Sequence, residues 1–251
     1  MSDASKSFGH VNALVGASLA SYAGEVVALA GDNGAGKSTL IKVIAGVHPM
    51  DSGDLRINGR RVELGSPAHA QALGVSTVFQ DLALVEVLDI AANMYLGRPP
   101  TRTYIFVDRR KMVERAADIL QELGIRLPSV RVPVGILSGG QRQGVAVARA
   151  VLHERDVILM DEPTAAVGVR ETEQVLGIID QLRACGKAVV LISHDLEVVF
   201  RVADRIEVLR LGRVQGVRKI GQTDREEIVG LITGAIAADN PTGATPAERS
   251  A

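Results

Sequence analysis

The sequence predicts an α/β fold around a mostly parallel sheet, on three observations. Apolar runs rich in Val and Ile alternate with stretches of helical periodicity. One run, Glu25–Ala30 (EVVALA), leads into the glycine-rich turn Gly31–Gly36 and then a helical pattern. A second unit repeats that order with Val157–Met160, a loop, Arg170–Ala184 and the strand-like Ala188–Ser193.

Taken in order, the helix after the glycine turn spans Lys37–Ala45 and closes at Gly46. Ser76-Thr77-Val78-Phe79-Gln80 reads as a short strand. From about Leu82 to Ala150 the chain becomes helical, with Lys111–Leu123 the clearest amphipathic stretch, so an inserted helical subdomain is expected. Within Arg170–Ala184, Val175, Leu176, Ile178, Ile179 and Leu182 recur at helical spacing, and Gly186 stands where the helix ends. Arg205–Leu211 and Val214–Val217 flank Gly212-Arg213 as a hairpin. Thr223-x-x-Glu226 is a capping-box pattern before a last helix ending near Gly234. Ala237–Ala251, rich in Ala, Pro, Thr and Gly without periodicity, is expected to be a disordered tail.

Composition narrows the function. Among 251 residues, 28 Lys+Arg face 29 Asp+Glu, so binding dominated by phosphate neutralisation along a nucleic acid is disfavoured. The chain is 47 % hydrophobic, yet its longest apolar runs fall well short of the roughly 20 residues of a membrane span. The polar Met1–Ser7 lacks the apolar core of a signal peptide, and the single cysteine, Cys185, excludes an internal disulfide framework. A cytoplasmic protein is expected, with Cys185 an inert packing residue. The basic residues Arg201, Arg205, Arg210, Arg213, Arg218 and Lys219 are interleaved with Asp204 and Glu207 and read as a solvated face.

Gly31-Asp32-Asn33-Gly34-Ala35-Gly36-Lys37-Ser38, followed by Thr39, fits G-x-x-x-x-G-K-[ST]. Successive amides can turn inward around phosphate oxygens only in conformations glycine tolerates, and the helix N-terminus adds a favourable dipole. Lys37 would reach the β/γ-phosphates and Ser38 would ligate Mg²⁺. Val157–Met160 ends in Asp161 and Glu162, placing Asp161 at the carboxyl edge of the sheet to hold Mg²⁺, and Glu162 where it can activate water. A bare Asp-Glu pair is otherwise an ordinary acidic turn. Leu137-Ser138-Gly139-Gly140-Gln141-Arg142-Gln143 opens a helix through Val145–Val151; alone, Ser-Gly-Gly is an N-cap and turn, and beside the phosphate loop it is a second anion cradle.

Together these residues resemble the ATP-binding subunits of ABC transporters, from Phe8 to about Gly234. The resemblance implies a P-loop NTPase fold over residues 1–236, with a small antiparallel β part beside the parallel core and the helical subdomain at about 82–150. It implies ATP and Mg²⁺ as ligands and a head-to-tail homodimer in which Ser138, Gly139, Gly140 and Gln141 contact the γ-phosphate held by the partner copy. It also places Gln80 as the Q-loop glutamine near Mg²⁺ and water, and His194 as the switch histidine at the γ-phosphate. An isolated Gln would otherwise be an exposed loop amide, and His10, His48, His69 and His153 are expected at the surface. Phe8 corresponds to the aromatic that stacks on adenine, a core Phe being the alternative.

Two departures stand out. Most ABC ATPases carry Leu-Asp in the loop after the Asp-Glu pair, making contacts across the dimer; here Thr164-Ala165-Ala166-Val167-Gly168 puts glycine at the aspartate position. This stretch, with Gly31–Pro49 and Gln80–Gly97, is similar to importers of ribose, xylose, fructose and related monosaccharides, many of them tandem duplications, whereas this chain shows no internal repeat. Second, Met1–Ser7 is polar where the family has a hydrophobic strand, so the first strand is expected to be absent or trimmed. The resemblance thus implies an Mg²⁺-dependent ATPase at the cytoplasmic face of the membrane, energising monosaccharide import through a separate permease fed by a sugar-binding protein. A soluble ABC-type ATPase acting in a nucleic-acid or translation process is the alternative.

Overall fold

A computed structural model describes residues 1–102, 106–152, 155–165 and 167–239. The chain opens with β1 (Ser2–Phe8), β2 (Val11–Ala17), β3 (Val26–Ala30), α1 (Lys37–Ile44), β4 (Ser52–Asp54), β5 (Arg56–Ile57) and β6 (Arg60–Arg61). Next come α2 (Pro67–Ala72), β7 (Val75–Val78), α3 (Ile90–Met94), β8 (Thr101–Arg102), β9 (Phe106–Val107), α4 (Arg109–Glu122) and α5 (Gly139–Val151). It ends with β10 (Val157–Asp161), α6 (Val169–Ala184), β11 (Ala188–Ile192), α7 (Leu196–Val202), β12 (Arg205–Arg210), β13 (Arg213–Lys219) and α8 (Arg225–Thr233).

The core is a sheet in the order β13-β12-β3-β11-β10-β7. All its pairings are parallel except β12 with β13, the expected hairpin. Every residue of β3 and β11 is buried, which explains their unbroken apolar sequences: helices cover both faces, so there is no solvent side for an alternating pattern to serve. Val145 and Val147 of α5 join the same apolar cluster as Ile158 and Met160 of β10. Helix α5, the signature helix opened by Leu137-Ser138-Gly139-Gly140-Gln141, is therefore anchored in the main core.

A second sheet, β2-β1-β4, is antiparallel and overturns the expectation for the N-terminus. Ser2–Phe8 is a strand although its sequence is polar. It is the middle strand, so its backbone is paired on both sides. Only Ala4 is fully buried. The polar side chains find partners instead: the Ser5 hydroxyl accepts from the Gly16 amide, and Asp51 accepts from Lys6 Nζ and the Ser7 amide. Backbone pairing, which hydropathy does not report, supplies the strand.

Other expectations shift as well. The last helix is capped by Asp224, which accepts from the Glu227 amide, while Thr223 donates its hydroxyl to Glu227; the cap lies one residue beyond the predicted Thr223. Arg205 is no solvated residue: it is enclosed between Glu25 and Glu207 and pairs with both. Arg218 likewise pairs with Glu227 and Asp239. That pair and the Asp239 amide, donating to Gln215, hold the chain beyond Gly234 against β13, so the segment up to Asp239 is not free tail. Residues 240–251, and His153 and Ala166, lie outside the described residues. Cys185 is exposed at the end of α6 rather than packed.

Candidate nucleotide site

The parallel register sets the site. Asp161 pairs with Ile192, and Ile192 with Leu29, so β3, β11 and β10 end side by side. Their carboxyl ends deliver the glycine loop, His194 and the Asp161-Glu162 pair to one sheet edge. Adjacent β7 ends at Val78, leaving Gln80 exposed just beyond that edge.

The loop from Gly31 to Gly36 has two glycines that nothing else could replace. A Cβ on Gly31 would stand 2.2 Å from the Leu209 carbonyl oxygen, and one on Gly36 would stand 2.4 Å from that of Ala13. Both have positive φ, 153° and 105°. The Gly212 amide donates to Ala35, and the Val15 amide to Gly212, tying the loop to β2 and the β12–β13 turn. Asp32, Asn33, Gly34 and Ser38 are exposed, Thr39 is half-buried and Ala35 is buried; the Asn33 amide donates to the Asp32 carboxylate at 2.7 Å. Lys37 is 8 % exposed and donates to the carbonyls of Gly31 and Asp32 at 2.8 and 2.9 Å. Burial holds its pKa below the usual lysine value, against the opposing charges of Glu162, Asp32 and Asp161. An ammonium with little water around it would attract a phosphate strongly.

Glu162 adopts φ 50°, a left-handed conformation uncommon for a residue with a side chain. Its amide donates to Ile192, tying the turn to β11. Its Oε2 lies 2.8 Å from Nδ1 of His194. Since a carboxylate only accepts, Nδ1 carries the hydrogen. Asp195, after His194, caps α7 by accepting from Glu197 and Val198, which fixes the turn bearing the histidine.

Asp161 has its pKa raised, first by burial and then by the Glu162 charge, with Lys42 and Lys37 opposing. A divalent cation would relieve both. Among the described residues no group of three His, Cys, Asp or Glu could hold a metal alone. The donor set of one carboxylate, one hydroxyl and one amide suits Mg²⁺, which is held by one or two carboxylates together with substrate phosphates and water.

Ser138 to Gln141 sit at the start of α5. Ser138 caps α5 in a reciprocal capping box: its hydroxyl accepts from the Gln141 amide, and the Gln141 side chain accepts from the Ser138 amide. The Gln141 carbonyl is thereby engaged inside the turn. Gly139 packs against Val167 and Gly140 against α6. Phe8, at the β1–β2 turn, is 44 % exposed and so is not a core residue; its ring meets His48 edge-on at 5.1 Å.

The sequence pattern of the family described as ABC transporter matches residues 14–165. The chain belongs to the ABC transporter family. It is similar to a xylose/arabinose import ATP-binding protein of Sulfolobus acidocaldarius, 48 % identical over 92 % of each chain. A fructose import ATP-binding protein of Rhizobium meliloti is 44 % identical, covering 92 % of this chain and 91 % of its own. A ribose import ATP-binding protein of Chromobacterium violaceum is 42 % identical, with the chain spanning 46 % of its length. Among solved structures, an ABC transporter ATP-binding cassette in its ADP conformation superposes with a TM-score of 0.77 at 27 % identity, covering 92 % of this chain and 93 % of that one. A dimeric bacterial ABC transporter cassette gives 0.72 at 26 %, covering 87 % and 97 %. The chain is thus an ABC-type ATPase, and the α/β architecture expected from its motifs is the one found.

Sequence reading overlooked several residues around these motifs. Arg149, in α5, donates to the carbonyls of Leu82 and Ala83 at 2.6 and 2.9 Å, tying the segment after Gln80 to the signature helix. Asn93 is fully buried and bonds to Val85, Leu88 and Asp89, fixing the loop before α3. His48, expected at the surface, is half-buried against Phe8. None belongs to a local motif; each acts across tens of residues or into an irregular loop.

Proposed function

We propose that this chain is the Mg²⁺-dependent ATPase subunit of a monosaccharide importer, working as a homodimer on a separate membrane permease at the cytoplasmic face. Lys37 and the amides of the Gly31–Gly36 loop bind the β- and γ-phosphates, with Asp32, Asn33, Gly34 and Ala35 forming the rim and Thr39 following Ser38 at the helix start. Ser38, Gln80 and Asp161 hold Mg²⁺, which supplies charge stabilisation to the departing phosphoryl group. Glu162 takes a proton from the attacking water, with His194 holding its carboxylate in place. Phe8 stacks on adenine, and Ser138, Gly139, Gly140 and Gln141 close over the γ-phosphate bound by the second copy. A sugar-binding protein outside the membrane delivers the substrate to the permease.

The observation that carries the reading is the Glu162–His194 contact of 2.8 Å on the sheet edge that also bears Lys37 and Asp161. The import side draws support from the relatives for xylose/arabinose and fructose, which match nearly end to end, and the homodimer from the dimeric cassette. Those relatives give the nucleic-acid alternative no support. Glu162→Gln tests the chemistry: turnover falls by roughly 10²–10⁴-fold, while ATP binding persists and ATP-dependent dimers accumulate. Hydrolysis at the wild-type rate in this variant would overturn the assignment. Recovery of the intact complex from membranes tests the import reading; a complex without a permease and a sugar-binding protein would count against it.

A further inference from the structure

Phe8 is exposed and yet held in place. It stands at the β1–β2 turn with 44 % of its surface accessible, and an exposed side chain without neighbours would move among its rotamers. Two neighbours fix this one. Nζ of Lys6 stands over the ring, 5.5 Å from its centroid, within the range of a cation–π contact. The ring of His48 meets it at 73° with the centroids 5.1 Å apart, the edge-to-face arrangement that aromatic pairs favour.

Both neighbours are themselves anchored. The Lys6 side chain is 12 % exposed and donates to Asp51 at 2.7 Å. The same carboxylate accepts from the Ser7 amide at 2.7 Å, which pins the chain just before Phe8. His48 follows α1, where the amides of Val47 and His48 both donate to the Lys42 carbonyl. Helix α1 begins at Lys37, directly after the phosphate loop. The hairpin that carries Phe8 touches that loop as well: the Val15 amide donates to Gly212 and the Gly212 amide to Ala35, and the Ala13 carbonyl lies against Gly36. The Phe8 ring is thereby joined to the phosphate loop twice, through β2 and through α1 with His48. An ordinary surface phenylalanine needs no such mounting. A stacking platform does, because a ring that must be immobilised at binding costs affinity.

We propose that His48 is a positioning residue for the nucleoside: it holds the Phe8 ring in the orientation that stacks the base, in register with the phosphate loop. The inference rests on the reading of Phe8 as the adenine platform given above. His48 acts here through the shape of its ring and not as an acid or base, so another flat ring serves in its place.

The test uses the full chain with Phe8→Ala, His48→Ala, His48→Phe and the Phe8→Ala/His48→Ala double variant. For each, kcat and KM for ATP, melting temperature, and Kd for ATP and for inorganic tripolyphosphate, which has the phosphates and no base, are measured. Phe8→Ala is expected to weaken ATP binding roughly tenfold or more, the size of one lost base–aromatic stack. His48→Ala raises KM and Kd for ATP roughly threefold to tenfold, the size of one aromatic pair, while kcat and tripolyphosphate affinity stay as in wild type. His48→Phe, which keeps a ring at the contact, recovers most of that loss. In the double variant the loss equals that of Phe8→Ala alone, because His48 acts only through the ring. An unchanged ATP affinity in His48→Ala, losses that add in the double variant, a His48→Phe no better than His48→Ala, an equal loss of tripolyphosphate affinity, or a loss that tracks a lowered melting temperature would each overturn the proposal. Wild-type ATP affinity in Phe8→Ala would instead overturn the platform reading on which it rests.

Discussion

Gly36→Ala, set beside Gly34→Ala, separates two reasons for glycine in the phosphate loop. Both residues have positive φ, 105° and 77°, which costs an L-residue roughly 1–2 kcal/mol. They differ in space. A Cβ on Gly34 meets nothing within 4 Å, whereas one on Gly36 stands 2.4 Å from the backbone oxygen of Ala13 in β2. The Leu14 and Leu209 side chains nearby, at 3.1 and 3.3 Å, can give way; the carbonyl cannot move without straining the bonds from Val15 to Gly212 and from Gly212 to Ala35. Overpacking of that kind adds roughly 1–3 kcal/mol, for a total of about 4 kcal/mol in Gly36→Ala. At ~2–4 °C per kcal/mol for a chain of this size, Gly36→Ala melts about 8–16 °C below wild type and Gly34→Ala about 2–8 °C below. Thermal unfolding followed by circular dichroism measures both, and binding of a fluorescent ATP analogue should fail in Gly36→Ala. Equal melting temperatures for the two variants would refute the steric argument, and a wild-type melting temperature for Gly36→Ala would refute both terms.

Two further predictions concern residues outside the motifs. Glu207 is almost wholly buried and has its pKa raised from 4.5 to about 7, chiefly by desolvation, against the stabilising charge of Arg205. The folded state therefore binds that proton more tightly than the unfolded chain, and stability falls as pH rises from 4.5 to 7 by up to about 1.4 kcal/mol per unit. Glu207→Gln should flatten that slope in denaturant titrations across this window; an unchanged slope would assign the pH dependence elsewhere. Arg149→Ala should leave the carbonyls of Leu82 and Ala83 without their donor and cost roughly 1–3 kcal/mol. ATPase activity should fall more than ATP affinity, because the segment after Gln80 loosens while the phosphate loop stays intact; equal losses in both would contradict the assignment.

The motif residues were legible because each is local. The phosphate loop needs only a strand, glycines and a helix in succession, and the Asp161-Glu162 pair needs only an apolar strand before it. The signature was legible as a helix start, and its capping box is a four-residue pattern. Residues that hold these pieces in register were not legible. Arg149 reaches back more than sixty positions to the carbonyls it binds, and the Arg205 cluster joins β12 to Glu25, whose neighbourhood offers no charge pattern. The N-terminal strand was not legible for a different reason: its stabilisation lies in backbone pairing on both edges, while its side chains are polar where a hydrophobic strand was expected.

Local sequence was thus sufficient for the parallel α/β core, the glycine loop and the Asp161-Glu162 pair, since strand burial and glycine conformations are written within a few residues; His194 stood out only through the resemblance to the family. Tertiary structure decided which of them meet. Parallel register brought His194 within 2.8 Å of Glu162, and helix packing set Gly140 of α5 against α6. Those contacts depend on strand order and helix packing, where distances are set by neighbours remote in the chain.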